Sequence, residues 1–582
     1  MAPSGRMSRF TPSALSRSAS GFCLALIWLL PFCLPDHKIP IGTFWQEWAA
    51  AALLIVAALG GLMSQATAIT IRIPRVTLGL LGLGLVITLQ LSLGMLNYSA
   101  NWTVPLIYLG LATIACLLGG SLRSDDAQTD WSSAVATAVI IGGVFNVYAQ
   151  IAQQWGFDRT LPFISPMPAG QTPFGNINQL NHIATYLGLG LTSVVFLRAT
   201  NQLNRFSTSV LVLILTFGLS LTAQRSAMVH AAMPLLFTLV AWRRLPSSRQ
   251  SALLISLAAL ALFLSISLLL PLVAADDATS LARLASKSFY SDRMNFWEHS
   301  WTMFSAHPWL GIGFDQFWPN FFAQLDTLSG GEAPNHPHNL FAALLAETGI
   351  IGTALISLML GLWLWRLRKS SLSWAQWLGL SQLAIIGFHS LIEYPLWYSY
   401  FLIPAAFWLG VTDSRSWTFI VERPRRLALM LGVLLAPMLV NVATTYQRLR
   451  TEVWAMPHPG ISGLIGFEPT HPAALDDLTG HWFFEREVLF WQPDLTPLRK
   501  DHLQQDMMLT ERAMRVAPSS ALLFRLCMLQ VLNGQVDDAV ALLHRAKQIY
   551  PERYQQMRMA LPAAAQRWPA QFGPALPRLL AQ

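Results

Sequence analysis

Long apolar runs separated by short polar connections dominate the chain, and their lengths decide the first reading. Crossing the hydrocarbon core of a bilayer takes roughly 20 apolar residues in a helix. Runs of that kind fall near 18–35, 47–66, 76–95, 103–121, 132–154, 180–198, 207–223, 226–242, 251–274, 340–365, 374–390, 395–411 and 426–444. The pattern predicts an all-α polytopic membrane protein with about 13 transmembrane helices. The first run reads as a span and not as a secretion signal. No small-residue cleavage site follows it, and Pro31 to Pro40 look like a turn.

Two interruptions exceed a turn. Residues 155–179, "WGFDRTLPFISPMPAGQTPFGNINQ", are rich in Pro, Gly and amides, which predicts a shaped loop. Residues 275–338 contain "LARLASKSFYSDRMNFWEHSWTMF", where Met294, Trp297, Trp301 and Phe304 recur at helical spacing. Such a helix is expected along the membrane interface, where Trp is favoured. Pro308, Gly311 and Gly313 then force a turn in "HPWLGIGFDQFW". After the last run the composition changes, and residues 506–554 read as two amphipathic helices split at Asn533-Gly534. This resembles a single tetratricopeptide-type (TPR-like) hairpin. One repeat cannot bury its own face, so packing against helices at 475–505 and 555–580 is expected. It serves either as a helical cap or as a partner-binding module. The chain thus divides into N-terminal transmembrane helices (1–274), an outer loop (275–338), C-terminal transmembrane helices (339–444) and a helical tail domain (445–582).

Composition agrees with the pattern. The 582 residues are 53% hydrophobic and 12% charged, about half the usual charged share. The net charge of +8 does not call for a nucleic acid, because its distribution follows the positive-inside rule. With the N-terminus inside, Arg6, Arg9 and Arg17 share a side with Arg72 and Arg75, Arg123, Arg198 and Arg205. Arg243, Arg244, Arg249, Arg366, Arg368, Lys369, Arg415, Arg423, Arg425 and Arg426 fall there too. The short loops opposite hold only Lys38, Arg159 and Arg225. That arrangement puts 275–338 and the C-terminal domain outside. The 4 cysteines form no CxxC or zinc spacing, and HExxH, P-loop and GxSxG motifs are absent. No metal or cofactor is expected.

Polar groups in or beside spans are costly, and each is a candidate for function. Arg225, in "LTAQRSAMV", breaks the charge bias between two closely spaced runs. It either snorkels to lipid headgroups or faces inward to bind an anion. Arg293 lies four residues before Trp297, beside the apolar stripe; it forms a surface ion pair or joins Arg225 on a phosphate or pyrophosphate. Gln179, His182 and Tyr186 share a helical face in "GNINQLNHIATYL", with Asn176, Asn178 and Asn181 around them. So many amides suit a hydroxyl-rich ligand such as a sugar, with capping by Asn176 or Asn178 as the structural alternative. In "GFHSLIEYPLWYSYFL", His389 and Glu393 stand at i, i+4, as a structural hydrogen bond or part of a relay, ahead of Tyr398 and Tyr400. "PNHPHNLFAALLAETGIIG" places His336, His338 and Asn339 at the mouth of an apolar helix carrying Glu347. Asn339 is a helix cap or a substrate contact. Glu347 lies too deep to exchange a proton with His338 and is expected to anchor its helix to a polar neighbour.

Taken in order, "GNINQLNHIATYL", "TAQRSAMV", "RMNFWEHSWTMFSAHPWLGIGFDQF" and "HNLFAALLAETGIIG" resemble the O-antigen ligase and polymerase superfamily. "LPDHKIPIGTFWQEWAAA" and "HSLIEYPLWYSYFL" are similar to its pilin-glycosylation branch, the bacterial O-oligosaccharyltransferases. The resemblance covers most of the chain. It implies a GT-C-type glycosyltransferase of the bacterial inner membrane, acting on the periplasmic face without metal. Its donor would be an undecaprenyl-pyrophosphate-linked oligosaccharide, moved en bloc to a Ser or Thr hydroxyl of a pilin-like periplasmic protein. The resemblance makes His338 the essential histidine and gives Arg225 and Arg293 the pyrophosphate. It also makes Gln179 and Tyr398 required positions, with Tyr394 and Tyr400 close enough to take the tyrosine's role. A lipid A–core ligase or repeat-unit polymerase is the sister reading. A lipid-linked glycan transporter would need paired broken helices and internal repeats.

Overall fold

The computed structural model describes residues 19–123, 128–273, 288–325, 335–368, 370–455, 460–466 and 475–581. Residues 281–287 of the predicted loop helix, and Arg6, Arg9, Arg17 and Lys369 of the charge pattern, lie outside them. Helix dominates. Among the described residues, 8 helices are long and apolar enough to cross a membrane. They are Phe44–Met63, Ala100–Ser121, Trp131–Gln154, Leu180–Ala199, Arg225–Arg244, Arg249–Leu270, Leu340–Leu367 and Pro424–Trp454. Shorter helices Thr77–Ser92, Arg205–Leu221, Trp374–Ser390 and Ser399–Thr412 cover further predicted runs. Six helices carry or position the candidate residues: α1 (Leu180–Ala199), α2 (Arg225–Ala241), α3 (Ser288–Ala306), α4 (Leu340–Leu367), α5 (Trp374–Ser390) and α6 (Ser399–Thr412).

Three features depart from the apolar pattern. The first run is divided, with Ala19–Leu26 and Leu30–Cys33 flanking a turn. Pro31 sits in the first turn of the second piece, where its missing N–H is tolerated, so the helix restarts there. Helix α4 is broken at Gly349, whose φ of 61° is left-handed. A two-stranded antiparallel ribbon also forms: β1 (Ile69–Pro74) pairs with β2 (Ser416–Val421), Ile69 opposite Val421. The two strands are 342 residues apart at their closest (416 − 74), so no local signal announces their pairing.

Contacts divide the chain into two compact units. The first comprises Met1–Gly82, Ile107–Ser286 and Leu355–Val440, and the second Leu83–Leu106, Lys287–Ala354 and Asn441–Gln582. In the first, α1 is the central helix, 89% buried over its apolar window. Its core gathers Trp28, Phe32, Tyr186, Trp377, Phe407 and Trp408. Tyr186 stacks on Phe32 at 4.1 Å between ring centroids and donates its hydroxyl to Trp28 O at 2.5 Å. Its place on the face of Gln179 and His182 is therefore a packing role.

In the second unit, Phe296, Met303, Phe317 and Phe321 share one core with Phe524, Met528, Leu543, Leu561 and Phe572 of the C-terminal helices. Residues 506–554, read as two helices, hold a third: Leu503–Val516 ends before Pro518, and Ser520–Leu532 and Val536–Ile549 then pack together, turning at Gly534 with φ 82°. Helices Pro551–Arg567 and Pro569–Leu580 cover their face. The stripe of α3 expected at the membrane interface is on its outer side, and a second face packs inward. Phe296, His299, Ser300 and Met303 face the core, whereas Met294, Trp297 and Trp301 are exposed. An exposed indole stripe is what a membrane-interface helix presents to lipid.

Candidate active site

In the first unit the loop before α1 is shaped by buried amides. Asn176 receives His37 Nε2 on its carbonyl (2.7 Å) and donates its own N–H to Asn146 Oδ1 (2.9 Å). Its Nδ2 donates to Cys33 O and Phe163 O, and its Oδ1 accepts Ser165 N. Gln153 bonds the same loop at Ser165, Phe174 and Gly175. Asn176 is thus a strut of the loop and not a sugar contact. Burial pushes the His37 imidazole below its ordinary range against two backbone carbonyls, Asn176 O and Gly42 O, that favour its charged form.

The helix cap falls on Gln179, not on Asn176 or Asn178. Its Oε1 accepts the backbone N–H of His182 at 2.5 Å. His182 then lies in an aromatic corner, its ring 4.9 Å from that of Tyr398 and 5.3 Å from that of His389. Its Nδ1 is 3.3 Å from the Tyr400 hydroxyl. Tyr394, Tyr398 and Tyr400 follow one another at 5.8 and 5.5 Å between rings. Glu47, from "TFWQEW", fixes the entry to this corner. It receives the Tyr108 hydroxyl, the Thr43 hydroxyl (2.8 Å) and the backbone N–H of Ser399 (3.3 Å).

Below the corner, α1, α2 and the end of α5 meet in two polar layers. Ser226 Oγ donates to Asn181 Oδ1 at 2.8 Å, and Asn181 Nδ2 donates to Glu393 Oε1 at 3.1 Å. One turn along each helix, Thr185 Oγ1 lies 3.1 Å from His230 Nε2 and 2.8 Å from His389 Nδ1. The spacing is i, i+4 in all three segments: 181 and 185, 226 and 230, 389 and 393. A hydroxyl has one proton, so Thr185 donates to one imidazole and accepts from the other, which couples their tautomers. Deeper still, Gln382 joins Ser193 at 3.3 Å and accepts from Trp408 at 2.7 Å. His389 and Glu393 each tie their segment to α1. Arg225, half-buried, is the first residue of α2 and adjoins Ser226, so the upper layer sets where it starts.

In the second unit the site is built on a clasp. Gly311 and Gly349, both left-handed, let the 308–314 turn enter the break in α4. Ile350 N donates to Pro308 O (2.8 Å) and Ile312 N to Ala346 O (2.9 Å). A Cβ on Gly349 would stand 2.5 Å from Trp309 carbonyl atoms. Gln90 Nε2 bridges Leu310 O and Glu347 O at 2.7 Å each, and Phe314 N donates to its Oε1. The Glu347 carboxylate takes the backbone N–H groups of Gln316 and Phe317. Glu347 is the anchor of this clasp.

At the outer end of α4, Asn339 Oδ1 caps the helix through Phe341 N (3.0 Å) and Ala342 N (3.1 Å). His338, just before it, has φ 52°, a left-handed backbone costly for a side chain bearing a Cβ. Its N–H donates to His336 Nδ1 at 3.0 Å, and its ring stacks on Phe296 at 5.9 Å. Arg293 is one helical turn before Phe296 on α3, hence on the side of the helix that meets His338. His299, below, bonds Gln324 at 2.9 Å. An open groove of about 240 Å³ beside Asn339 is lined by Trp297, Ser300, Trp301, Phe304, Ala342 and Leu345. Among the described residues no three His, Cys, Asp or Glu side chains converge as metal ligands would.

The structure therefore gathers Gln179, His182, Tyr398, His389, Glu393 and Arg225 in one unit, and Arg293, His338 and Asn339 in the other. Sequence reasoning missed Thr185, Ser226, His230 and Glu47. The first three were signalled by polar pairs at i, i+4 repeated in separate apolar runs.

Comparison with known proteins follows this map. The O-antigen ligase family model matches residues 210–357, a stretch that includes Arg225, Arg293 and His338. Over that stretch the chain is similar to O-antigen ligases. A protein glycosylation ligase model matches 173–197, including Gln179 and His182. A third, described as the C-terminal part of a virulence factor membrane-bound polymerase, matches 377–564. The chain is 22% identical over 406 residues to a general O-oligosaccharyltransferase of Acinetobacter baylyi, covering 68% of this chain and 69% of that protein. It is 24% identical over 360 residues to the ComP-specific O-oligosaccharyltransferase of the same organism, covering 60% of this chain and 64% of that protein. These matches place the protein among the glycosyltransferases.

Proposed function

We propose that the protein transfers an oligosaccharide en bloc from undecaprenyl pyrophosphate to Ser or Thr hydroxyls of a periplasmic acceptor protein such as a pilin. The observation that carries this reading is that one O-antigen ligase match runs through Arg225, Arg293 and His338, within a chain similar to named O-oligosaccharyltransferases. His338 is the general base. Histidine titrates near ambient pH and so suits removal of a hydroxyl proton. The acceptor oxygen attacks the anomeric carbon, its proton passes to the imidazole, and the bond to pyrophosphate breaks. Arg225 and Arg293 meet the charge that develops on that leaving group, the task a metal performs in other glycosyltransferases. A single displacement inverts the anomeric centre.

In this reading Gln179, His182, Asn339 and Tyr398 contact the glycan or acceptor, while His389 and Glu393 hold α5 against α1. The chain crosses the inner membrane about 13 times. Residues 275–338 form the periplasmic catalytic loop between transmembrane regions 1–274 and 339–444, and 445–582 form a periplasmic TPR-like domain. The shared core of α3 and the C-terminal helices supports a structural role for that domain.

The decisive experiment uses the purified full chain, a lipid-linked oligosaccharide and candidate pilins, comparing wild type with His338→Ala by acceptor mass. Undiminished transfer by the variant, or retained anomeric configuration in the product, overturns the mechanism.

A further inference from the structure

The β1–β2 ribbon belongs to no part of the proposed reaction, and its register gives it two unlike faces. Directly paired residues of an antiparallel ladder point to the same side. One face is therefore wholly apolar: Ile69 with Val421, Ile71 with Phe419, and Ile73 with Trp417. The Ile69–Val421 end is buried in the core of its unit, but Phe419 is 58% and Trp417 44% exposed. The other face pairs Thr70 with Ile420 and Arg72 with Thr418, and Ile420 is also exposed. Cations flank the ribbon at both ends, Arg75 and Arg415 beside the Ile73–Trp417 pair and Arg423, Arg425 and Arg426 beyond the Ile69–Val421 pair. Arg415, Arg423, Arg425 and Arg426 are exposed, and Arg75 lies over the Trp417 ring at 5.3 Å.

The ribbon is held rigidly. Buried Asp413 accepts Val76 N (2.9 Å) and Arg366 Nη2 (3.0 Å) on its carboxylate, while Arg123 donates to its carbonyl oxygen. Arg123 and Arg366 are thereby committed to the strand end that carries Trp417, and the exposed arginines stand on either side of the aromatic pair. A pinned ribbon joining apolar helices, with indole and phenyl rings framed by guanidinium groups, matches the boundary between lipid headgroups and acyl chains.

We propose that this ribbon is a docking surface for anionic phospholipid headgroups. Trp417 and Phe419 enter the interface, and Arg415, Arg423 and Arg426 meet headgroup phosphates.

The full chain is reconstituted in nanodiscs of phosphatidylcholine alone or mixed with phosphatidylglycerol, and retained lipid is counted by native mass spectrometry after mild detergent release. Each basic residue near an anionic surface is worth about fivefold in binding. The variant Arg415→Gln/Arg423→Gln/Arg426→Gln is expected to hold phosphatidylglycerol more than tenfold more weakly. The matching Lys variant is expected to retain it, because the surface reads charge. Equal retention by the Gln variant, failure of the Lys variant, or equal competition by inorganic phosphate overturns the proposal. Hydrogen exchange on the wild type gives a readout that needs no variant. Strands 69–74 and 416–421 are expected to exchange more slowly in anionic than in zwitterionic nanodiscs, and identical rates overturn the proposal.

Discussion

The polar layers of the first unit and the histidine turn of the second treat the same residue type in opposite ways. His230 and His389 lie fully buried on helices, joined through Thr185. His338 is only half-buried, stands outside a helix and has a left-handed backbone. Buried polar groups with partners give rigidity and register. In the proposed mechanism the buried pair positions helices, and His338, at its helix mouth, meets the substrate.

The largest effect expected from breaking this contrast is at His338. His338→Asn preserves a side chain that tolerates left-handed backbone. Transfer should fall by roughly 10³-fold, within the range of general-base catalysis, while the melting temperature stays near wild type. A rate near wild type removes His338 from the chemistry. Next, Arg225→Ala and Arg293→Ala should each lower the initial rate by on the order of 10²-fold. The corresponding Lys variants should recover part of it, as charge without the fork geometry allows. An effect confined to acceptor KM would instead make the arginines acceptor contacts.

Two structural variants test the positioning side. Gly349→Ala drives a Cβ into the Trp309 carbonyl and imposes left-handed strain, which should destabilise the second unit by roughly 2 kcal/mol. Thermal unfolding and proteolysis near residue 311 read it out. Thr185→Val removes the hydroxyl between two imidazoles and should cost about 1–2 kcal/mol. If Thr185→Ser restores stability and Val does not, the hydrogen bond is responsible rather than the volume.

The smallest expected effect is one of pH. Burial, with the neighbouring His338, holds the His336 imidazole well below its ordinary range. The unfolded chain takes up a proton at this position as pH falls through about 6.5, whereas the folded chain does not. The contribution to stability is therefore complete above that pH and declines below it. His336→Asn should flatten the change in melting temperature between about pH 7.5 and pH 5.5. An unchanged slope would assign the dependence to other groups.

Much of the fold was legible because spans are written locally. Twenty apolar residues in a row state a helix without reference to anything else, and Pro308, Gly311 and Gly313 state a turn. The candidate residues were legible as costly polar groups in apolar surroundings. Their partners were not. Gln179 was visible as a polar residue, but its role as cap emerged only with the backbone geometry. Asn176 looked like a ligand contact until its oxygens and nitrogen met the loop. The inward face of α3, with Phe296, His299, Ser300 and Met303, was not read, because the spacing of Met294, Trp297 and Trp301 marks only the outer stripe.

By itself the sequence determined the helical, membrane-crossing character of the chain, which follows from composition within a window of one helix, and it offered candidate residues as costly polar groups within those windows. Only the tertiary structure decided the Asn181 and Thr185 layers, the entry of the 308–314 turn into α4 at Gly349, and the pairing of Ile69–Pro74 with Ser416–Val421. The physical reason is common to the three. Each joins groups far apart in the chain, and buried polar groups seek whichever partner the packing of apolar faces brings within reach.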